Sequence, residues 1–370
     1  MFKLKKFAED CTHCNLCVEQ CAFLQRYGNP AKVVSAFDLD NGNFPNLPFE
    51  CSLCELCTSV CPAGLNPAKL FLEMRRDIVY RSGWDFSKHK ALLDFERRGM
   101  SRRYTYYALP AQCDTVFFPG CTLAGSRPKQ TLRLFHYLRS HVPAIGIVMD
   151  CCSKPSHDLG RHEWFKKNFG EMKRLLKEKG IKKILAACPG CHKIFKDYGG
   201  SIQVKTVYEI LWQKGLPSLE KMSGSVSIHD PCAARHDERV HTAIRLLVRS
   251  LGLDVTELEH SGKNTLCCGE GGAVGFLDPL LSKNWGRLIA RESSGKKLVT
   301  YCAGCYEILN KATSVCHILD LVFEPQAALS GRVNAYRAPI TYLNRVLLKH
   351  RFKKNMVASV ICEREATNHY

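Results

Sequence analysis

The spacing of apolar and polar positions changes character along this chain. In residues 1–83 the clearest periodic stretch is PAKLFLEMRRDIVYRSG, which opens on a proline, repeats apolar residues at helical spacing and stops at Gly83. The segment before it, through Asn41-Gly42-Asn43-Phe44-Pro45, is turn-rich and lacks alternating valine and isoleucine, which predicts a helical rather than a β-sheet unit. From about residue 112 short apolar runs alternate with amphipathic ones. TVFF, GIVM, KKILAA, VSIH and KKLVTY read as strands. RPKQTLRLFHYLRSHV, EWFKKNFGEMKRLLKEKG, ERVHTAIRLLVRSLG and PLLSKNWGRLIARESSG read as helices. Strands alternating with helices predict a mostly parallel sheet. Near the end, ITYLNRVLLKHRFKKNM reads as a basic helix, packing one apolar edge on the body or docking to an acidic partner or an anionic membrane surface.

The second region repeats itself. TVFFPGC (115–121) pairs with VSIHDPC (226–232), GIVMDCC (146–152) with NTLCC (264–268), and KKILAACPGC (182–191) with KKLVTYCAGC (296–305). The paired cysteines are offset by 111, 116, 114 and 114 residues, as expected of a tandem duplication with small insertions. Each phrase puts its cysteines just after a strand. Ligands gather at the C-terminal ends of strands in open α/β sheets, so the cysteines of each half are expected to converge.

Eighteen of the 21 cysteines belong to such patterns. Cys11, Cys14, Cys17 and Cys21, and again Cys51, Cys54, Cys57 and Cys61, have the C-x2-C-x2-C-x3-C spacing of two-cluster ferredoxins. In those proteins the fourth cysteine of each run serves the other cluster. The expected [4Fe-4S] cubanes are therefore held by Cys11, Cys14, Cys17 and Cys61, and by Cys51, Cys54, Cys57 and Cys21. Zinc would need only two C-x2-C pairs and would leave two cysteines of each run unused. Ala22 stands where a proline usually follows the fourth cysteine; Pro62 keeps it. Cys113, Cys316 and Cys362 match no motif and read as ordinary thiols.

Composition changes the picture in two ways. With no apolar h-region before Cys11 and no run of 18 apolar residues, the chain reads as cytoplasmic, with thiolate ligands rather than disulfides. The net charge of +18 is not interleaved with aromatic residues, so no nucleic-acid role is expected. Basic residues would instead offset anionic clusters and steer an acidic partner or anionic substrate.

The phrases FFPGC, HDPC, CCGEGG and CPGC, set in a twice-repeated C…CC[G/S]…CxxC pattern, resemble the cysteine-rich (CCG) domain. Duplicated behind a helical ferredoxin, over residues 8–325, the arrangement resembles catalytic subunits of heterodisulfide reductases. Its relatives include iron–sulfur subunits of glycolate, lactate and glycerol-3-phosphate dehydrogenase complexes. The resemblance implies a multidomain fold: an α-helical two-cluster ferredoxin domain (1–83), a linker (84–111), two α/β parallel-sheet CCG domains (112–222 and 223–325) and a basic tail (326–370). It also implies two noncubane four-iron clusters at the substrate site. One would sit on Cys121, Cys151, Cys152, Cys188 and Cys191, the other on Cys232, Cys267, Cys268, Cys302 and Cys305. Gly269, Gly271, Gly272 and Gly275 would let backbone wrap the second. The first half carries Ser153 in place of glycine; if that position needs a positive φ, its cluster is altered or replaced by a mononuclear metal.

The implied function is an oxidoreductase component passing electrons through the cubanes to paired CCG sites that split a disulfide. The alternative is a relay from an FAD-linked hydroxyacid or glycerol-3-phosphate dehydrogenase toward quinone. No flavin or nicotinamide motif is present, so a flavoprotein or iron–sulfur subunit, or a soluble ferredoxin, is the expected donor. Any membrane contact would be peripheral, through a partner. His157, His192, His229 and His236 flank the cluster phrases, either as structural residues or as proton donors for thiol formation.

Overall fold

A computed structural model describes residues 2–37, 46–217, 221–333 and 335–366. The turn at Asn41–Pro45 lies outside the described residues. The N-terminal unit is helical throughout its described part. Its two cysteine runs are copies of one backbone, because His13 and Asn15 (φ 54° and 61°) recur as Leu53 and Glu55 (φ 49° and 62°). Left-handed non-glycine residues in both loops curl the chain around a common centre, a cost usually met at functional sites. Helix Pro67–Ser82 begins where predicted. The Asn66 side chain accepts the Lys69 N–H at 2.8 Å, Pro67 occupies the first turn, and Gly83 at φ 64° ends it.

Two sheets follow. The first contains β1 (Tyr106–Leu109), β2 (Thr115–Phe118), β3 (Gly146–Met149), β4 (Lys183–Ala186) and β5 (Gln203–Thr206). The second contains β6 (Ser225–His229), β7 (Asp254–Glu257), β8 (Lys297–Thr300) and β9 (Val315–His317). The last strand, β10 (Val360–Cys362), returns to the first sheet, giving the order β10-β1-β3-β2-β4-β5; the second runs β7-β6-β8-β9. Each half has a parallel four-strand core, β3-β2-β4-β5 and β7-β6-β8-β9. Only β1 and β10 run antiparallel to their neighbours. Strands β2 and β3 are buried along their whole length, because helices cover both faces.

The stretch read as a linker thus holds helix Lys90–Gly99 and β1, and the basic tail supplies both helix Ile340–Asn355 and an edge strand. That helix buries Leu348 and Phe352 in the same apolar core as Phe117 and Phe135 of the first half and Ile228 and Leu321 of the second. The two halves are therefore fused rather than tethered. Their seam also holds a buried ion pair, Arg127 to Asp320 at 2.9 Å, with Arg127 stacked over the Tyr306 ring. The Tyr208 hydroxyl donates to the carbonyls of Ala187 and Tyr301, one from each half.

Candidate functional site

The second quartet gathers first. Cys21, Cys51, Cys54 and Cys57 line one cavity with Phe23, Leu24, Leu56 and Phe71, an apolar-walled space with four sulfurs on its surface. Burial pushes the Cys21 and Cys51 thiols up to about 12. Cys17, pushed up to about 11 by burial, has Cys11, Cys14 and Cys61 as its charged neighbours. Each run's fourth cysteine therefore stands beside the other run. These sulfurs could hold iron, whose charge would stabilise them as thiolates and which would supply one-electron redox chemistry.

The cysteines of each half converge as well. In the first, Cys121 bonds Cys151, Cys191 bonds Cys188, and the Cys191 and Cys152 sulfurs are 3.2 Å apart. In the second, Cys232, Cys267, Cys268, Cys305 and Cys302 form an unbroken chain of thiol contacts. Hydrogen bonding from Cys151, helped by the Arg345 charge against burial, holds the Cys121 thiol down at about 6. Hydrogen bonds from Cys267 and Cys305 hold Cys268 down at about 7. Among the described residues the group whose ligand atoms all fall within 4.8 Å is Glu259, His260 and Glu292, not a cysteine set.

Five cysteines follow strands as expected: Cys121 after β2, Cys151 after β3, Cys188 after β4, Cys232 after β6 and Cys302 after β8. Cys267 and Cys268 do not; a loop from Leu258 to Leu266 separates them from β7. The position after each cysteine pair does need a positive φ. Gly269 takes φ 103°, where a methyl would collide with the Ser282 carbonyl, whereas Ser153 sits at φ 55° and is fully buried. That left-handed well is open to serine, so the substitution leaves the loop intact.

Neither cluster loop stands alone. Arg75, fully buried, donates to the carbonyls of Pro48 (2.9 Å), Cys51 (2.5 Å), Asp158 (2.6 Å) and Gly272 (2.9 Å), joining the helical unit to both halves. A methyl on Gly272 would collide with the Cys51 carbonyl, so backbone meets backbone there. Arg235 donates to the carbonyls of Cys54, Lys263 and Thr265 and faces Cys232. Cys54 is in turn a charged neighbour of Cys232 and Cys267, so the Cys51–Cys57 site adjoins the second half's site.

The described chain thus sets a helical unit with two cysteine runs beside two copies of one five-cysteine cluster. Residues 10–66 match the 4Fe-4S dicluster domain, and residues 115–196 and 226–310 each match the cysteine-rich domain. The chain is an iron–sulfur protein that joins a 4Fe-4S dicluster domain to tandem cysteine-rich domains. It is 22% identical to a component of the dihydromethanophenazine:CoB–CoM heterodisulfide reductase of Methanosarcina mazei, over 72% of this chain and 78% of that one. An uncharacterized iron-sulfur protein of Methanocaldococcus jannaschii is 22% identical over 71% of this chain; the match spans only 56% of that relative's length. The EtfAB:quinone oxidoreductase of Syntrophomonas wolfei is 23% identical over 62% of this chain and 37% of its own. Among solved structures, an aspartate racemase homologue of Pyrococcus horikoshii covers 59% of this chain and 99% of its own at 16% identity, with a TM-score of 0.26 that is too low to carry weight. Among the described residues no helix is long and apolar enough to cross a membrane.

The histidines divide. His157 is fixed between Asp158 and Tyr198, both at 2.9 Å, and His192 faces Asp237 at 3.3 Å. His236 pairs with Glu55 at 3.2 Å on the surface, and burial drops His229 to about 4. Three of the four are thus held by carboxylates, whereas neither ring nitrogen of buried His229 has a hydrogen-bond partner among the described residues. Sequence reading missed Lys154 and Glu270, although the 116-residue offset makes them counterparts, each two residues after its cysteine pair. Glu270 lies against Gly304 of CAGC, and Lys154 lies over Gly190 of CPGC. Lys154 faces Cys152 of its own half and Cys232 of the other, while Glu270 faces Cys188 and Cys121 across the seam. Partial desolvation at the seam, reinforced by the Glu307 charge, pushes the Glu270 carboxyl up. Burial works against the Lys154 charge, but the Asp158 carboxylate more than offsets it and the amine stays cationic.

Proposed function

We propose that electrons enter at the Cys11–Cys17 run, pass through the Cys51–Cys57 cubane to the second CCG site, and act with the first CCG site on a disulfide held at the seam. The observation that carries this reading is the mutual approach of the two five-cysteine sets, with Lys154 and Glu270 each reaching from one half toward the other's cysteines. The cubanes would rest on Cys11, Cys14, Cys17 and Cys61, and on Cys51, Cys54, Cys57 and Cys21. The CCG centres would rest on Cys121, Cys151, Cys152, Cys188 and Cys191, and on Cys232, Cys267, Cys268, Cys302 and Cys305. Splitting R–S–S–R′ takes two electrons and two protons and yields two thiols. The electrons come from a partner flavoprotein or iron–sulfur donor; one site faces each sulfur. Lys154 supplies fixed positive charge where two thiolates would otherwise repel. The likeness to the Methanosarcina heterodisulfide reductase component over most of both chains supports the reading.

A relay role toward quinone is the second reading, favoured by the likeness to the quinone oxidoreductase and by the continuous line of cysteine sites. Oxidised protein mixed with a small thiol separates the two. The disulfide enzyme should give a new thiol-dependent paramagnetic signal, lost in Cys267→Ala or Cys268→Ala while the cubanes stay reducible. Spectra indifferent to thiol, with rapid reduction by a flavoprotein partner, would leave only the relay.

A further inference from the structure

The two halves are not self-sufficient to the same degree. In the second half, Arg235 follows Cys232 by three residues and sets a buried guanidinium beside that cysteine. The counterpart three residues after Cys121 is Ala124, which brings no charge. The missing cation arrives from the tail. Helix Ile340–Asn355 lies on the short helix Cys121–Ser126, where the Asn344 amide donates to the Gly125 carbonyl at 2.9 Å. A methyl on Gly125 would stand 3.0 Å from the Thr341 carbonyl, so the bare glycine sets the approach. This contact delivers Arg345, which is 2% exposed and lies over the Tyr104 and Phe95 rings. One nitrogen, Nη2, reaches the Gly99 carbonyl at 3.4 Å; among the described residues Nε and Nη1 have no acceptor. A methyl on Gly99 would touch both Arg345 Nη2 (3.3 Å) and Cys151 Cβ (3.5 Å). A buried guanidinium with free N–H groups beside two cysteines is arranged for an anion at that site.

Each half also holds an aspartate just ahead of a cysteine, at different positions of the repeat and by different means. Asp230, ahead of Cys232, is gripped by Arg245 from its own half and by Tyr301. Asp150, ahead of Cys151, is gripped at 2.8 and 2.9 Å by Arg364 of the tail, and also by Tyr107. Asp150 accepts the Cys151 N–H at 2.7 Å, so the grip is passed directly to a cysteine. Strand β10 pairs with β1, and Ala366 closes against Met100 and Cys151.

We infer that residues 340–366 are an integral wall of the first CCG site, with Arg345 supplying its fixed positive charge and Arg364 holding Asp150 so that Cys151 keeps its orientation. The inference rests on the reading that the five cysteines of that half hold a metal centre. Neither arginine is offered as a catalytic residue; both position and neutralise.

The test uses the full chain purified anaerobically, comparing Arg345→Met, Arg345→Lys, Arg364→Met and Cys151→Ala for iron and zinc content and for the midpoint potential of each paramagnetic centre. Cys151→Ala identifies the first site's signal; if it changes neither metal nor signal, the five-cysteine reading itself fails. With that signal identified, Arg345→Met should shift it to lower potential by about tenfold in the reduced-to-oxidised ratio, about 59 mV for one electron. Alternatively it should lose about four of about sixteen irons, with the other centres unmoved. Arg345→Lys should restore the wild-type value. Should Arg345→Met fail to fold, Arg364→Met carries the test by a broadened or lost first-site signal. Unchanged potential and iron in Arg345→Met, or in Arg364→Met where that variant carries the test, would overturn the inference.

Discussion

Replacing Arg75 by methionine should loosen the helical unit from both halves at once. Four carbonyls, from Pro48, Cys51, Asp158 and Gly272, lose a charged donor, at about 1.5 kcal/mol each on the low side of such bonds, or roughly 6 kcal/mol together. Against this stands the cost of burying the guanidinium. Burial drops Arg75 to about 10 from an ordinary 12.5, despite the opposing charges of Cys51 and Asp158, which corresponds to about 3 kcal/mol returned on its removal. The net loss is about 3 kcal/mol, more than a hundredfold in the folded-to-unfolded ratio. Urea denaturation of the anaerobic holoprotein should show it as a lower midpoint. On the proposed electron path, delivery should suffer too, because the Cys51 and Gly272 carbonyls that Arg75 clamps belong to the loops of adjacent cysteine sites. Reduction of the CCG centres after a pulse of reductant should slow while cubane reduction stays fast. Arg75→Lys, with three donors and no planar fork, should fall between. A methionine variant with wild-type midpoint and undisturbed reduction order would refute the idea that this one side chain couples the three units.

Two further outcomes follow from the geometry. Cys61→Ser should remove about four irons and the signal of the cubane built on Cys11, Cys14 and Cys17, because Cys61 stands beside Cys17; loss of the Cys51–Cys57 cubane instead would reverse the ligand pairing. Glu96, buried and hydrogen-bonded by Ser156, is pushed by burial up to about 7, so the folded state holds its proton where the unfolded state has lost it. Stability should therefore fall by up to about 3 kcal/mol as pH rises from about 4.5 to 7, and Glu96→Gln should remove that slope in pH-dependent unfolding.

Much of the fold was legible because it is written in local signals. The helices at 67–82, 128–141, 162–178, 238–250, 279–292 and 340–355 lie within three residues of the predicted phrases, each carrying its apolar stripe in its own sequence. The cysteine pairs and their repeat reveal two like sites, since ligand spacing is local too. Three things were hidden. Strand β7 is the polar run DVTE, half exposed, so no apolar signal marked it, and NTLCC was aligned with a strand it does not contain. Strand β1, the four-residue YYAL, fell in the stretch read as linker, and β10 in the stretch read as tail. Both are antiparallel additions whose pairing joins residues about 250 apart, and nothing at either end announces the other. The arginines were hidden for the same reason. Arg75, Arg235, Arg345 and Arg364 look like ordinary members of a +18 surface until the fold buries them.

Burying those four arginines also changes how the net charge is to be understood. A lone buried guanidinium is costly, and such charges are kept only where something anionic or richly carbonyl-lined repays them. Arg75 faces Cys51, Arg235 faces Cys54 and Cys232, and Arg345 faces Cys121. Arg364 reaches Cys151 through Asp150. One guanidinium is thus stationed at each step from the Cys51–Cys57 loop to the first half's cysteine site, inside the protein where salt does not screen it. Part of the positive charge is accordingly internal and set beside the cysteine sites, where it would favour the reduced, more negative states of clusters held there. The rest, including the exposed face of helix Ile340–Asn355 with Arg351 and Lys354, remains on the surface for partners. Raising ionic strength should therefore slow reduction by an anionic partner while leaving the midpoint potentials of the buried centres nearly unchanged, and the internal guanidinium substitutions should do the reverse.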